Sequence, residues 1–210
     1  MLTESVRAVA DVEAGGTAGV AAADVAAGVA ANVEAGGAAA AGRRRRRKKN
    51  PLALLVGYLA AVFFVAVLSS AMTAPAIRGW YAGLVKPGFN PPNAIFGPVW
   101  TVLYVLMALA AWRVAMVTAV GEARAGWPAR QSALFFWWVQ LGLNFAWSVL
   151  FFHMHRVGGA LVDIVLLLGA VTVVTVMFWR MSRTAGLMLL PYLLWTGFAL
   201  VLNLRIFQLN

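Results

Sequence analysis

Cysteine is absent from this 210-residue chain, which excludes disulfides, thiolate metal sites and cysteine nucleophiles. Charge is nearly as scarce: only 11% of residues are charged, against 62% hydrophobic. Acids run out early. Five of the seven fall within residues 1–50, and only Glu122 and Asp163 follow. Paired carboxylates for acid–base work are therefore missing, as are a Ser-His-Asp set and a phosphate-cradling glycine loop. No catalytic residue and no metal site are expected. His153 and His155 form an isolated His-x-His at a span end, with no carboxylate or thiolate beside them, and read as solvated interfacial histidines.

What is present is long apolar runs. Pro51 to Met72, Ala94 to Trp112, Gln131 to Phe152, Val157 to Trp179 and Thr184 to Leu204 each approach or exceed the roughly 20 residues a helix needs to cross hydrocarbon. Backbone groups in lipid must be satisfied within the segment, so these are helices and not strands. The fold class expected is an all-α, multi-pass membrane protein: a five-transmembrane-helix bundle over residues 51–210. Residues 1–42, rich in Ala, Gly and Val, lack aromatics and read as a disordered extension. It ends in seven consecutive basic residues, Arg43 to Lys49. The net charge of +10 speaks of orientation against an anionic leaflet, not of nucleic acid. With the N-terminus inside, basic residues divide 13 inside to 4 outside; without the extension they divide five to four and decide nothing.

The connection between the first two spans differs from the rest. Trp80 to Trp100 holds Pro87, Pro91, Pro92 and Pro98, three glycines and aromatics at 80, 81, 89, 96 and 100. Proline fixes φ and removes a donor, so Lys86 to Asn93 cannot be a regular helix. A stiff aromatic connection reads either as a lid or as an interfacial turn, since Trp and Tyr gather at headgroup depth. Polar and aromatic residues also line up within spans. Gln140, Asn144 and Trp147 share a face of the third, with Gly142 and Ala146, a small-xxx-small pair, on its other side. Trp100, Tyr104, Met107 and Ala111 form a stripe on the second, and Tyr192, Thr196, Ala199 and Asn203 on the fifth, with Trp195 at its edge. Each stripe alone is compatible with packing or interhelical hydrogen bonding; three together point to a shared cavity. Asp163 is the single acid in the spans and is expected to bond an Asn or Tyr across the bundle, or Arg156.

These residues resemble a known family. Trp80-Tyr81-x-x-Leu84-x-Lys86-Pro87-x-Phe89-Asn90-Pro91-Pro92, then Phe96-Gly97-Pro98-Val99-Trp100-Thr101-x-Leu103-Tyr104, is similar to the TspO family of tryptophan-rich sensory proteins, translocator proteins or peripheral-type benzodiazepine receptors. The likeness continues through Gln140 to Trp147, Phe151-Phe152, Leu161 to Asp163, Pro191 to Trp195 and Phe198 to Asn203. The resemblance implies a five-helix bundle with a structured loop between helices 1 and 2. It implies a receptor or carrier that binds porphyrin or heme, sterols and benzodiazepine-type ligands, with no obligatory cofactor. Light-dependent porphyrin breakdown and regulation through a partner are its alternatives. Carried over residue by residue, the expected ligand-binding set is Trp80, Tyr81, Pro91, Trp100, Tyr104, Asn144, Trp147, Trp195 and Ala199, with Gln140 added from the third-span stripe. A homodimer through Gly142 and Ala146 is expected. Phe89 and Ala94 depart from the family's aromatics, and Leu204 replaces the tyrosine of the sterol pattern, so no strong sterol site is expected.

Overall fold

The computed structural model describes residues 50–117 and 130–210. The expectations for residues 1–42 and for the basic cluster lie outside the described residues. The elements are α1 (Pro51–Arg78), α2 (Trp80–Gly83), α3 (Asn93–Ala115), α4 (Arg130–Ser148) continued by a π-helical turn (Val149–His153), α5 (Val157–Met181) and α6 (Arg183–Leu209). Five of these helices are long and apolar enough to cross a membrane, in the order expected. No strand occurs among the described residues.

The boundaries have local causes. Asn50 caps α1, its side chain accepting from the Leu52 N–H at 3.1 Å, with Pro51 in the first turn where its missing N–H costs nothing. The helix runs six residues past the expected end and absorbs Pro75. A proline there frees one carbonyl a turn back, in the final turns that approach the interface. Pro91 and Pro92 hold α3 off until Asn93. Between α5 and α6 the break is a single residue, Ser182, which is extended and accepts from the Ala185 N–H at 3.4 Å.

α5 and α6 form the most extensive helix pair. Their turn closes so tightly that a Cβ on Gly186 would stand 2.7–2.8 Å from the ring, Cα and Cβ of Trp179. The central core stacks Met107, Ala108, Ala110 and Ala111 of α3 against Trp137, Val171, Phe178 and Tyr192. Alanine on α3 lets the Trp137 indole pack deep, where its Nε1 donates to the Met107 carbonyl at 3.2 Å. α1 is attached differently. Its buried residues are Val62, Ser69 and Ala76, seven apart and therefore on one narrow line. A further bond from Trp112 Nε1 to the Pro51 carbonyl, 2.8 Å, ties its start to the end of α3.

Gly186→Ala is expected to destabilise the bundle by about 1–3 kcal/mol, the usual cost of overpacking against backbone. Thermal unfolding in detergent should show a lowered midpoint. A Gly169→Ala control, where an added Cβ meets nothing within 4 Å, should not.

Candidate functional site

The line contact of α1 leaves a cavity of about 1100 Å³ between it and the other helices. α1 supplies one wall, mainly apolar. The other walls come from Trp100 and Tyr104 of α3, Asn144 and Trp147 of α4, Phe151 and Phe152 of the π turn, and Trp195, Ala199 and Asn203 of α6. Tyr81 and Phe96 bound it on the lid side. Phe63, Val67 and Val105 both line the cavity and stand exposed, so the slot reaches the bundle flank between α1 and α3.

One amide organises the polar part of this wall. Asn144 Oδ1 accepts from the Tyr104 hydroxyl at 2.7 Å, and its Nδ2 donates to the Tyr192 hydroxyl at 3.1 Å. Three spans are thereby joined in the core. A second amide repeats the device: Trp147 Nε1 donates to Asn203 Oδ1 at 3.0 Å, and Asn203 Nδ2 donates to the Val157 carbonyl at 3.1 Å. Both asparagines are almost fully buried, and each has a partner at both ends, as burial in hydrocarbon requires.

The π turn sets the aromatic end. The Met154 N–H bonds back to the Val149 carbonyl, and the Arg156 N–H to that of Leu150, both at 2.8 Å. The extra residue turns Phe151 and Phe152 together into the cavity. Phe151 stacks on Trp147 at 5.2 Å and 20°, and Tyr81 meets it edge-on at 6.2 Å. Two residues beyond the turn stands His155, whose φ of 55° is the one left-handed non-glycine conformation among the described residues. Its ring lies on Trp80 at 4.3 Å and 23°.

The lid is a braced structure. After the single turn of α2, the Tyr81 hydroxyl donates to Asn90 Oδ1 at 3.0 Å, and Asn90 Nδ2 to the Pro91 carbonyl at 3.1 Å. Burial pushes the Tyr81 phenol above its ordinary range, the Asn90 bond offsetting only part, so it remains a neutral donor. Lys86 Nζ sits 4.7 Å over the Tyr81 ring and donates to the Ala82 and Leu84 carbonyls. From the far end of the chain, Asn210 grips Val85 twice: its Oδ1 accepts from the Val85 N–H and its Nδ2 donates to the Val85 carbonyl, each at 3.0 Å. Phe89 packs edge-on against Phe198.

Seven of the ten expected residues line the cavity: Tyr81, Trp100, Tyr104, Asn144, Trp147, Trp195 and Ala199. Trp80, Pro91 and Gln140 stand outside its wall. Trp80 is turned onto Phe151 and His155; Pro91 serves as an acceptor within the lid. Gln140, one turn below Asn144, is 1% exposed in the packed core and donates to the Trp137 carbonyl at 2.9 Å. Asp163 differs from expectation: its Oδ2 is buried without a hydrogen-bond partner, and neither an Asn, a Tyr nor Arg156 reaches it. Arg156 lies about 10 Å nearer the surface along α5 and stays exposed. His153 and His155 are exposed, and no group of three or more His, Cys, Asp or Glu able to hold a metal occurs among the described residues. Sequence reasoning missed Phe96, Phe151 and Phe152 as wall residues and Asn210 as a brace; Asn203, on the expected fifth-span stripe though outside the expected ligand set, lines the wall.

The model of the TspO/MBR family matches residues 39–209. The chain belongs to the TspO/MBR family. It is 42% identical over 157 residues to the tryptophan-rich protein TspO of Archaeoglobus fulgidus, covering 74% of this chain and 96% of that one. With the CrtK protein of Rhodobacter capsulatus it shares 36% over 154 residues, 72% of this chain and 92% of the relative. With human translocator protein it shares 37% over 131 residues, 62% of this chain and 75% of the relative. Membership together with five spanning helices makes it a multi-pass integral membrane protein of the TspO/MBR family.

The double grip of Asn210 on Val85 gives a direct expectation. Asn210→Ala should speed amide exchange at Val85 by roughly tenfold, as loss of about 1–1.5 kcal/mol of hydrogen bonding implies. Exchange mass spectrometry should find the core amides around Met107 unchanged.

Proposed function

We propose that the chain is a membrane receptor or carrier for porphyrin-like tetrapyrroles, heme included, and for related flat hydrophobic ligands. The carrying observation is the cavity of about 1100 Å³ walled by three indoles, Trp100, Trp147 and Trp195, beside the buried Tyr104–Asn144–Tyr192 group. Small-molecule sites commonly measure roughly 300–1,000 Å³, so this one suits a large ring system. Indole faces stack on a macrocycle, while amide and phenol groups bound its polar rim. Among the described residues the wall holds no His, Cys or Met, and its two phenols, Tyr81 and Tyr104, remain protonated donors to Asn90 and Asn144. The macrocycle itself, more than a coordinated iron, is therefore what the cavity would recognise. The opening between α1 and α3 suits a ligand already dissolved in the bilayer. The name of the human relative, translocator protein, is in keeping with carriage.

Protoporphyrin IX added to the purified protein should quench tryptophan fluorescence saturably. Trp195→Phe should weaken the apparent affinity by roughly fivefold, about 1 kcal/mol of aromatic contact. A linear, unsaturable quench that is indifferent to Trp195 overturns the reading.

We also infer self-association through the Gly142 and Ala146 face. Gly142 is exposed, and an added Cβ there would meet nothing within 4 Å, so the helix surface is open for close approach. Because the chain has no cysteine, Ala146→Cys gives a single thiol. Oxidation in native membranes should trap a dimer with this variant, and not with Val176→Cys on the exposed face of α5.

A further inference from the structure

The chain has only two histidines, and they stand outside the cavity wall, enclosing Met154. Judged by nitrogen, carboxylate and thiolate donors, His153 and His155 make an incomplete pair. The residue between them adds a thioether. All three side chains are exposed beside the lid, Met154 to 45%. Neither imidazole makes a hydrogen bond to any described residue, so a nitrogen lone pair is available on each ring. Three consecutive residues thus offer two nitrogens and one polarisable sulfur, with no carboxylate among them.

The backbone beneath these side chains is fixed. The Met154 N–H bonds to the Val149 carbonyl and the Arg156 N–H to the Leu150 carbonyl, pinning the chain on either side of His155. His155 itself is left-handed, φ 55°, a conformation costly for a residue with a Cβ and concentrated at functional sites. Its ring lies on Trp80 by its face, which leaves the nitrogens at the ring edge open. Gathering the three donors therefore needs only rotation of exposed side chains.

We propose that His153, Met154 and His155 form a binding site for a soft monovalent metal ion, of the Cu(I) or Ag(I) class, beside the Trp80 indole. The inference stands apart from the cavity and its ligand. Thioether and imidazole donors suit Cu(I), whereas Mg²⁺ and Ca²⁺ take oxygen ligands. Zn²⁺ closes its structural sites tetrahedrally, and no third His, Cys, Asp or Glu stands with this pair among the described residues. Charge points the same way. Arg156 follows directly, and Asp163, the sole acid among the described residues, is buried within α5. A doubly charged ion would meet repulsion with nothing to offset it. An ion bound here bears on the lid, because Trp80 packs edge-on at 5.6 Å against Phe151 of the cavity wall.

The probe is Ag⁺, which needs no reductant, titrated in chloride-free buffer into the full chain in lipid nanodiscs. A single ion per chain is expected to be retained on dialysis. Methionine-methyl NMR of the native chain should show the Met154 resonance, identified by its loss in Met154→Leu, shifting as Ag⁺ binds. Met116, similarly exposed at the end of α3 away from the lid, should not shift. Met154→Leu and His155→Ala should each weaken retention roughly 10- to 100-fold, which loss of even an outer-shell partner commonly costs a metal site. Met116→Leu should leave retention unchanged. An unmoved Met154 resonance in the native chain overturns the assignment, whatever the variants do. So does Ag⁺ held equally by Met154→Leu, or displaced by an equal concentration of Zn²⁺.

Discussion

Inside hydrocarbon a polar side chain finds its partner in the protein or goes without, and the buried amide of Asn144 is where this bundle meets that constraint. Its two bonds tie the phenols of Tyr104 and Tyr192 to α4, so α3, α4 and α6 are held in one register. Removing the amide would leave two buried hydroxyls unsatisfied, at about 1–3 kcal/mol each. Asn144 itself lines the cavity beside Trp100, Trp147 and Trp195, while Gln140 and Trp137 are packed into the core. The amide that sets the register is also part of the cavity wall.

The lid follows from a different constraint, the stiffness of proline. Pro87, Pro91 and Pro92 prevent the connection from joining either flanking helix, and a chain that cannot be helical must bond its backbone and polar groups otherwise. Asn90, Lys86 and Asn210 do that work, each linking parts of the lid or the lid to the C-terminal helix. Trp80 and His155 add a stacked contact to the turn after α4. The lid is thus anchored on α4 and α6 and is not carried by α1 alone.

Much of this was legible in the residues. Five apolar runs of about 20 residues leave five helices as the only way to satisfy the backbone, and the i, i+3, i+4 spacing of Asn144 and Trp147, of Trp100 and Tyr104, and of Trp195 and Ala199 marks the wall. What spacing cannot show is a change of helical period. A reading at 3.6 residues per turn does not bring Phe151 and Phe152 to one side; the π turn does. Nor does it tell which end of a stripe is packed: Gln140 and Asn144 share a face, yet one sits in the core and the other on the cavity. Bonds across long sequence separation, such as Asn210 to Val85, leave no local trace at all. For Asp163, the reading assumed that a buried acid has found its partner, and its Oδ2 has not.

The position of the cavity is a consequence of how unequally the helices are buried. α5 presents ten buried residues to its neighbours and adds nothing to the described wall, whereas α1 presents three in a line and lines the cavity for most of its length. A helix held by a single seam, by Trp112 at one end and by the lid at the other, can shift relative to the bundle at little cost in apolar area, since its outer face meets lipid either way. The four better-packed helices cannot. The opening between α1 and α3 therefore borders the one spanning helix of the five that can give way at little cost.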